Sequence, residues 1–136
     1  EVVQAMKAVA RRLDDGYQHE VSVRHHRFLA DEPPSNGGRD SGPTPLELLA
    51  AALASCSAIT LEMYAKRKGW DVGRVEVEVD YEPAQRGAPT RFDITVKLPR
   101  HLSEEQQERL MQIVAKCPVH RTLEGEAMFR EELKLV

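Results

Sequence analysis

The chain has 136 residues, 41% of them hydrophobic and 30% charged, with a formal net charge of −3 at pH 7. That is the length of one domain, spanning 1–136, with enough apolar side chains for a core, which excludes a disordered chain. The mildly acidic balance argues against nucleic acid or an anionic membrane as a general partner.

The opening stretch EVVQAMKAVARRLDDG has no apolar run of signal-peptide length, and a cytoplasmic location is expected. Two strands are predicted in the first thirty residues, joined at Asp15-Gly16, a strong hairpin signal. In the second strand Val21, Val23, His25, Arg27 and Leu29 are expected on one face, and Glu20, Ser22, Arg24, His26 and Phe28 on the other. DEPPSNGGRDSGPT, residues 31–44, reads as a loop, and loops of this length tend to be lids or tethers.

A long helix follows. Thr44 is the N-cap candidate, Pro45 suits the first helical position, and Glu47 completes a Thr-x-x-Glu capping box. The pattern continues to Lys68, where Gly69 supplies the stop, giving a length of roughly 36 Å at 1.5 Å per residue. Residues 48–61, LLAAALASCSAITL, carry no charge; the stretch is too short for a membrane span, which needs about 20 apolar residues. A helix apolar on all sides must be covered on all sides. A chain this small cannot do so alone, so a homodimer packing two such helices together is expected.

RVEVEVDY (74–81) and RFDITVKL (91–98) alternate cleanly and predict a long-looped hairpin, with Val75, Val77, Val79, Tyr81, Phe92, Ile94, Val96 and Leu98 inward. A second helix is predicted from Ser103, with Gln106 as a weaker capping-box partner and Leu110, Ile113, Val114 and Cys117 on one stripe. MFREELKLV at the end predicts a last strand. The order β-β-loop-α-β-β-α-β is α+β, an antiparallel sheet packed on a long central helix.

The two cysteines, Cys56 and Cys117, are too few for a secreted disulfide scaffold, and in the cytoplasm such a pair is more often free, catalytic or metal-bound. Buried cysteines are commonly inert, so Cys56 has a plain reading as a small core side chain. Pro118 bars Cys117 from continuing a helix; if a new helical turn starts there, its thiol pKa is expected to be lowered. Cys117-x-x-His120 also has metal-ligand spacing, and Cys56 with His25 or His26 could complete a zinc set, but such spacing is weak evidence. Glu47 reads first as a helix cap. Arg27 on an inward face needs a carboxylate or thiolate partner, and Arg39, just ahead of the helix, is a second basic candidate.

GGRDSGPTPLELLAAALASCSAITLEMYAKRKGW followed by CPVHRTL resembles the OsmC/Ohr superfamily of osmotically inducible and organic-hydroperoxide-resistance proteins, most of all its OsmC-like branch. The resemblance covers nearly the whole chain; its specific parts are the Gly-Pro-x-Pro lead into an Ala-rich helix with a mid-helix cysteine, and the late Cys-Pro. It implies an OsmC-like α+β fold as an intertwined homodimer, with active sites at the subunit interface. It also implies a thiol peroxidase that needs no cofactor or metal and acts on organic hydroperoxides. Cys56 is then the peroxidatic thiolate, which is oxidised to a sulfenic acid; Cys117 resolves it as a disulfide, and a dithiol reductant restores the pair. The family's arginine, which keeps the thiolate charged, matches Arg27. Its glutamate follows the helix-opening proline directly, where this chain has Leu46 and puts the acid at Glu47.

A thiol peroxidase is therefore the leading expectation. The alternatives are a weakly catalytic or non-catalytic OsmC-like stress protein binding a small apolar ligand, and a zinc-stabilised structural dimer.

Overall fold

The computed structural model describes residues 5–136. The protein divides into two compact units, one running to Leu49 and the other from Ala50 to Val136.

In the first unit, β1 (Ala8–Arg12), β2 (His19–Val23) and β3 (His26–Ala30) form an antiparallel sheet in that order. The expected hairpin at Asp15-Gly16 is present: Asp14 Oδ1 accepts the Gly16 N–H at 2.8 Å, and Leu13 N–H donates to the Gln18 carbonyl. The predicted second strand is in fact two. Val23 pairs with His26, leaving Arg24 and His25 as a two-residue turn, with Arg24 in the left-handed region at φ 55°. The turn was hidden because left-handed turn positions normally carry Gly, Asn or Asp, and this one carries arginine.

The extra turn corrects the expected faces. Val21 now stands opposite Phe28, and Arg27 opposite Ser22, so Arg27 shares a face with Val9 and Ser22 rather than with Val21 and Val23. The Arg27 side chain is 72% exposed and its Nε lies 3.9 Å from Glu20. It needs no buried partner, because it is not buried.

The loop after β3 is a closed structure. Asp31, itself buried, accepts the Glu32 N–H on Oδ1, and the Arg39 N–H, Ser41 N–H and Ser41 hydroxyl on Oδ2. Those donors, the Ser41 hydroxyl foremost, hold its carboxyl down at about 2. Gly38 and Gly42 are required by close approach: a Cβ would lie 1.8 Å from the Glu32 carbonyl oxygen and 2.2 Å from that of Leu29.

The helix α1 spans Pro45–Lys68, as the caps predict. By length and composition the whole helix is sufficient to cross a membrane, although its uncharged stretch alone is not. Within the second unit one face of it is buried: Leu53, Ser57, Leu61, Tyr64 and Ala65 recur at helical spacing. The opposite face, with Ala51, Ser55, Ile59 and Met63, is exposed.

The rest of the second unit comprises β4 (Glu76–Glu82), β5 (Arg91–Lys97), α2 (Glu104–Val114) and α3 (Pro118–Glu124). β4 and β5 pair antiparallel with Val77 opposite Val96, Val79 opposite Ile94 and Tyr81 opposite Phe92, so their apolar residues share one face. The other face is charged, and Lys97 bridges Glu76 and Glu78 at 2.9 and 2.7 Å. Ser103 and Gln106 complete the expected capping box of α2. The core joins Leu61, Tyr64 and Ala65 of α1 to Leu110, Ile113 and Val114 of α2, with Val72 and Leu102 from connecting segments and Ile94 and Val96 of β5 packed against it. Full burial of a leucine such as Leu61 or Leu110 is worth about 1.5–3 kcal/mol.

The predicted last strand is absent. Residues 126–136 carry no regular element, and Met128, Phe129, Leu133 and Leu135 are all at least 80% exposed. A strand exists only through the hydrogen bonds of a neighbour, and among the described residues none pairs with this segment.

Candidate active site: two thiols at the start of α3

Cys56 lies at the middle of α1, and Cys117 is the N-cap of α3. Pro118 occupies the first position of α3 and leaves Cys117 extended at φ −64°, ψ 147°, as a residue before proline should be. This break turns the chain so that two backbone N–H groups of α3 meet the two sulfurs. Val119 N–H donates to Cys56 Sγ at 3.5 Å, and His120 N–H donates to Cys117 Sγ at 3.3 Å. Ser57 Oγ lies 3.8 Å from Cys117 Sγ. Both cysteines are free.

Their environments differ. Cys56 is partly exposed, whereas Cys117 is fully buried. A lowered Cys117 pKa was expected from a new helical turn at Pro118, and the turn is there. Burial nevertheless outweighs the His120 N–H and pushes the Cys117 thiol up, and Cys56 adds to the rise. Cys117 is thus held protonated beside the more accessible sulfur.

A cavity of about 250 Å³ lies between Leu53, one turn ahead of Cys56, and Leu123 of α3. Thr90, Phe92 and Ile94 complete its apolar side, while His120 and Glu124 bring its only ionisable side chains among the described residues. His120 Nδ1 lies 2.6 Å from Glu124 Oε1, an i,i+4 pair on α3. The sequence marked His120 only as a metal-spacing partner of Cys117; Glu124 and Ser57 were missed, although the His-x-x-x-Glu spacing on a short helix was there to be read. Among the described residues no group of three or more His, Cys, Asp or Glu is placed to hold a metal ion.

The other two predicted site residues lie in the first unit. Glu47 is engaged as a cap, accepting the Thr44 N–H at 2.8 Å. Arg27 is paired with Glu20, and Arg39 Nη1 lies 3.4 Å from Asp14. The structure therefore brings Cys56 and Cys117 together, and gives Glu47 and Arg27 partners within their own unit.

An α+β chain with a free thiol in a long helix and a second at a Cys-Pro turn against it defines a dithiol protein of one particular architecture. The chain belongs to the OsmC-like family, whose model, described as OsmC-like protein, matches residues 38–132. Among solved structures it is similar to an OsmC-like protein from Mycoplasma pneumoniae, at 21% identity over 91% of this chain and 90% of that one, with a TM-score of 0.75. An organic hydroperoxide resistance protein OsmC from Legionella pneumophila is 19% identical over 92% and 93%, with a TM-score of 0.63. The organic hydroperoxide resistance protein OhrB of Bacillus subtilis is 21% identical over 90% and 92%, with a TM-score of 0.60. A search of curated proteins gave no match. At these identities the structural likenesses establish the OsmC-like α+β fold.

Proposed function

We propose that this protein is a thiol-dependent peroxidase that reduces organic hydroperoxides and serves oxidative-stress defence in the cytoplasm. The observation that carries the reading is the meeting of two free thiols at one turn: a partly exposed Cys56 beside a buried, protonated Cys117. The resistance proteins of similar fold support it.

In the proposed cycle the Cys56 thiolate attacks the terminal oxygen of R–O–OH. The S–O bond forms, the O–O bond breaks, and Cys56 becomes a sulfenic acid as the alcohol departs. Cys117 then attacks the Cys56 sulfur, releasing water and leaving a disulfide, which an external dithiol reduces. The Val119 N–H is directed at Cys56 Sγ, the sulfur that carries the reaction in this cycle. The apolar walls of the adjoining cavity suit an alkyl or aryl group on the hydroperoxide. Glu47 receives no chemical step here, because its carboxylate caps α1.

The assembly is proposed to be a homodimer. The exposed apolar face of α1 and the exposed apolar side chains of residues 126–136 are surfaces that a second copy would cover.

Thiol titration before and after one equivalent of cumene hydroperoxide tests the function. Loss of both thiols in the wild type and no reaction in Cys56→Ser is expected; retention of both thiols in the wild type would overturn it. A specific feature favours one other reading: a largely apolar cavity of about 440 Å³ in the first unit, lined by Ala10, Val21, Ala30 and Leu48 among others. Saturable binding of an apolar probe there, with thiols indifferent to hydroperoxide, would favour a ligand-binding protein.

A further inference from the structure

Two side chains of α3 remain unexplained by the cycle above. His120 Nδ1 and Glu124 Oε1 are 2.6 Å apart, and since a carboxylate only accepts, the imidazole donates through Nδ1. This fixes the ring and leaves Nε2, which makes no hydrogen bond among the described residues, as the nitrogen able to exchange a proton. The ring borders the same cavity as Leu53, Phe92 and Ile94, and its own backbone N–H is bonded to Cys117 Sγ.

Resting on the peroxidase reading, we propose that His120 is the acid that protonates the departing alkoxide, with Glu124 as its positioning residue. The reaction needs such a group, because an alkoxide expelled into an apolar cavity is a poor leaving group. The cavity offers no rival: α1 contributes Leu53, β5 and the segment before it contribute Thr90, Phe92 and Ile94, and α3 adds Leu123. Cys56 and Cys117 are also titratable groups at this turn, while the neighbouring Lys116 and Arg121 are exposed. Arg91 and Asp93 of β5 pair with each other on the opposite face from Phe92 and Ile94.

The step balances. Cys56 S–H gives its proton to Nε2, and the resulting thiolate attacks the terminal oxygen. The S–O bond forms as the O–O bond breaks, and the imidazolium returns that proton to RO⁻. The products are Cys56 S–OH and ROH; sulfur is oxidised by two electrons, the peroxide is reduced by two, and His120 ends as it began. Glu124 keeps Nδ1 occupied and stabilises the transient positive ring.

Single-turnover oxidation of Cys56 at neutral pH with two oxidants tests this. tert-Butyl hydroperoxide expels an alkoxide that needs a proton, whereas peracetic acid expels a carboxylate that does not. The ratio of the two rates cancels any change in thiolate fraction, which enters both rates equally. His120→Gln, a near isostere that cannot shuttle protons, should lower that ratio about 100-fold. Glu124→Gln should lower it less, in the same direction, and serves if the first variant folds poorly. An unchanged ratio in a folded His120→Gln overturns the role of His120 and leaves the peroxidase reading intact. A wild type that reacts with neither oxidant overturns both.

Discussion

Thr44 and Glu47 close on one another across the first turn of α1: Thr44 N–H donates to Glu47 Oε1 at 2.8 Å, and Glu47 N–H donates to Thr44 Oγ1 at 3.2 Å. Pro45 has no N–H, so three orphan N–H groups remain at this helix start, and two of them are satisfied this way. The acid one place after Leu46 thus has a structural task of its own. Thr44→Ala should lower stability by about 1 kcal/mol in denaturant unfolding. Glu47→Gln retains an acceptor oxygen and should change stability less, with cumene hydroperoxide turnover altered by about twofold at most. A fall of orders of magnitude in turnover would return the carboxylate to the thiol chemistry.

Cys117 and Cys56 should be distinguishable by alkylation. The burial that pushes the Cys117 thiol up also shields it, so iodoacetamide at pH 8 should modify Cys56 first, and the order should vanish in denaturant. A raised acid pKa means that the unfolded chain loses this proton before the folded one. Stability should therefore decline as pH climbs above the ordinary thiol value of 9.0, and Cys117→Ala should lack that alkaline decline. Under excess hydroperoxide Cys117→Ser should still oxidise at Cys56, then advance to the sulfinic acid, a gain of one further oxygen in the mass spectrum.

Ile59 and Leu61, two places apart on α1, should behave oppositely. Leu61 is fully buried, and Leu61→Ala should cost about 2–5 kcal/mol of stability. Ile59 is 51% exposed, so Ile59→Lys should leave the fold intact. In the proposed dimer the same substitution places a charge in the contact. Sedimentation should then give the wild type at twice the chain mass and Ile59→Lys as a folded monomer; a monomeric wild type at micromolar concentration would remove the dimer.

Asp31 should make the protein sensitive to acid. Its carboxyl is lowered from 3.8 to about 2 in the fold, chiefly by the Ser41 hydroxyl. Depression of an acid's pKa stabilises the fold above the unfolded value, and that share is lost as pH falls from about 4 through about 2. The melting temperature of the wild type should drop across that window, and Asp31→Asn, less stable at neutral pH, should show a shallower drop. Parallel curves for the two proteins would show that the loop does not depend on this charge.

Short-range features could be read directly from the order of residues. The reciprocal Thr44–Glu47 cap, the run to Lys68, the Gly69 stop and the alternation of β4 and β5 all rest on contacts within a few residues or on a strict two-residue period, and each is legible in one dimension. The family signature likewise lay in short runs around Cys56 and Cys117. The remaining features depend on neighbours distant in the chain. The turn at Arg24-His25 carries no turn residue; it is defined by Val23 meeting His26, and it moved Arg27 to an exposed face. MFREELKLV alternates too loosely to be a strand without an edge to pair with. The sign of the Cys117 pKa shift depended on weighing a local N–H against burial, and burial won. Whether two cysteines separated by most of the second unit are fillers or a pair is likewise a matter of packing: Pro118 breaks the helix path, and that break brings the start of α3 against Cys56.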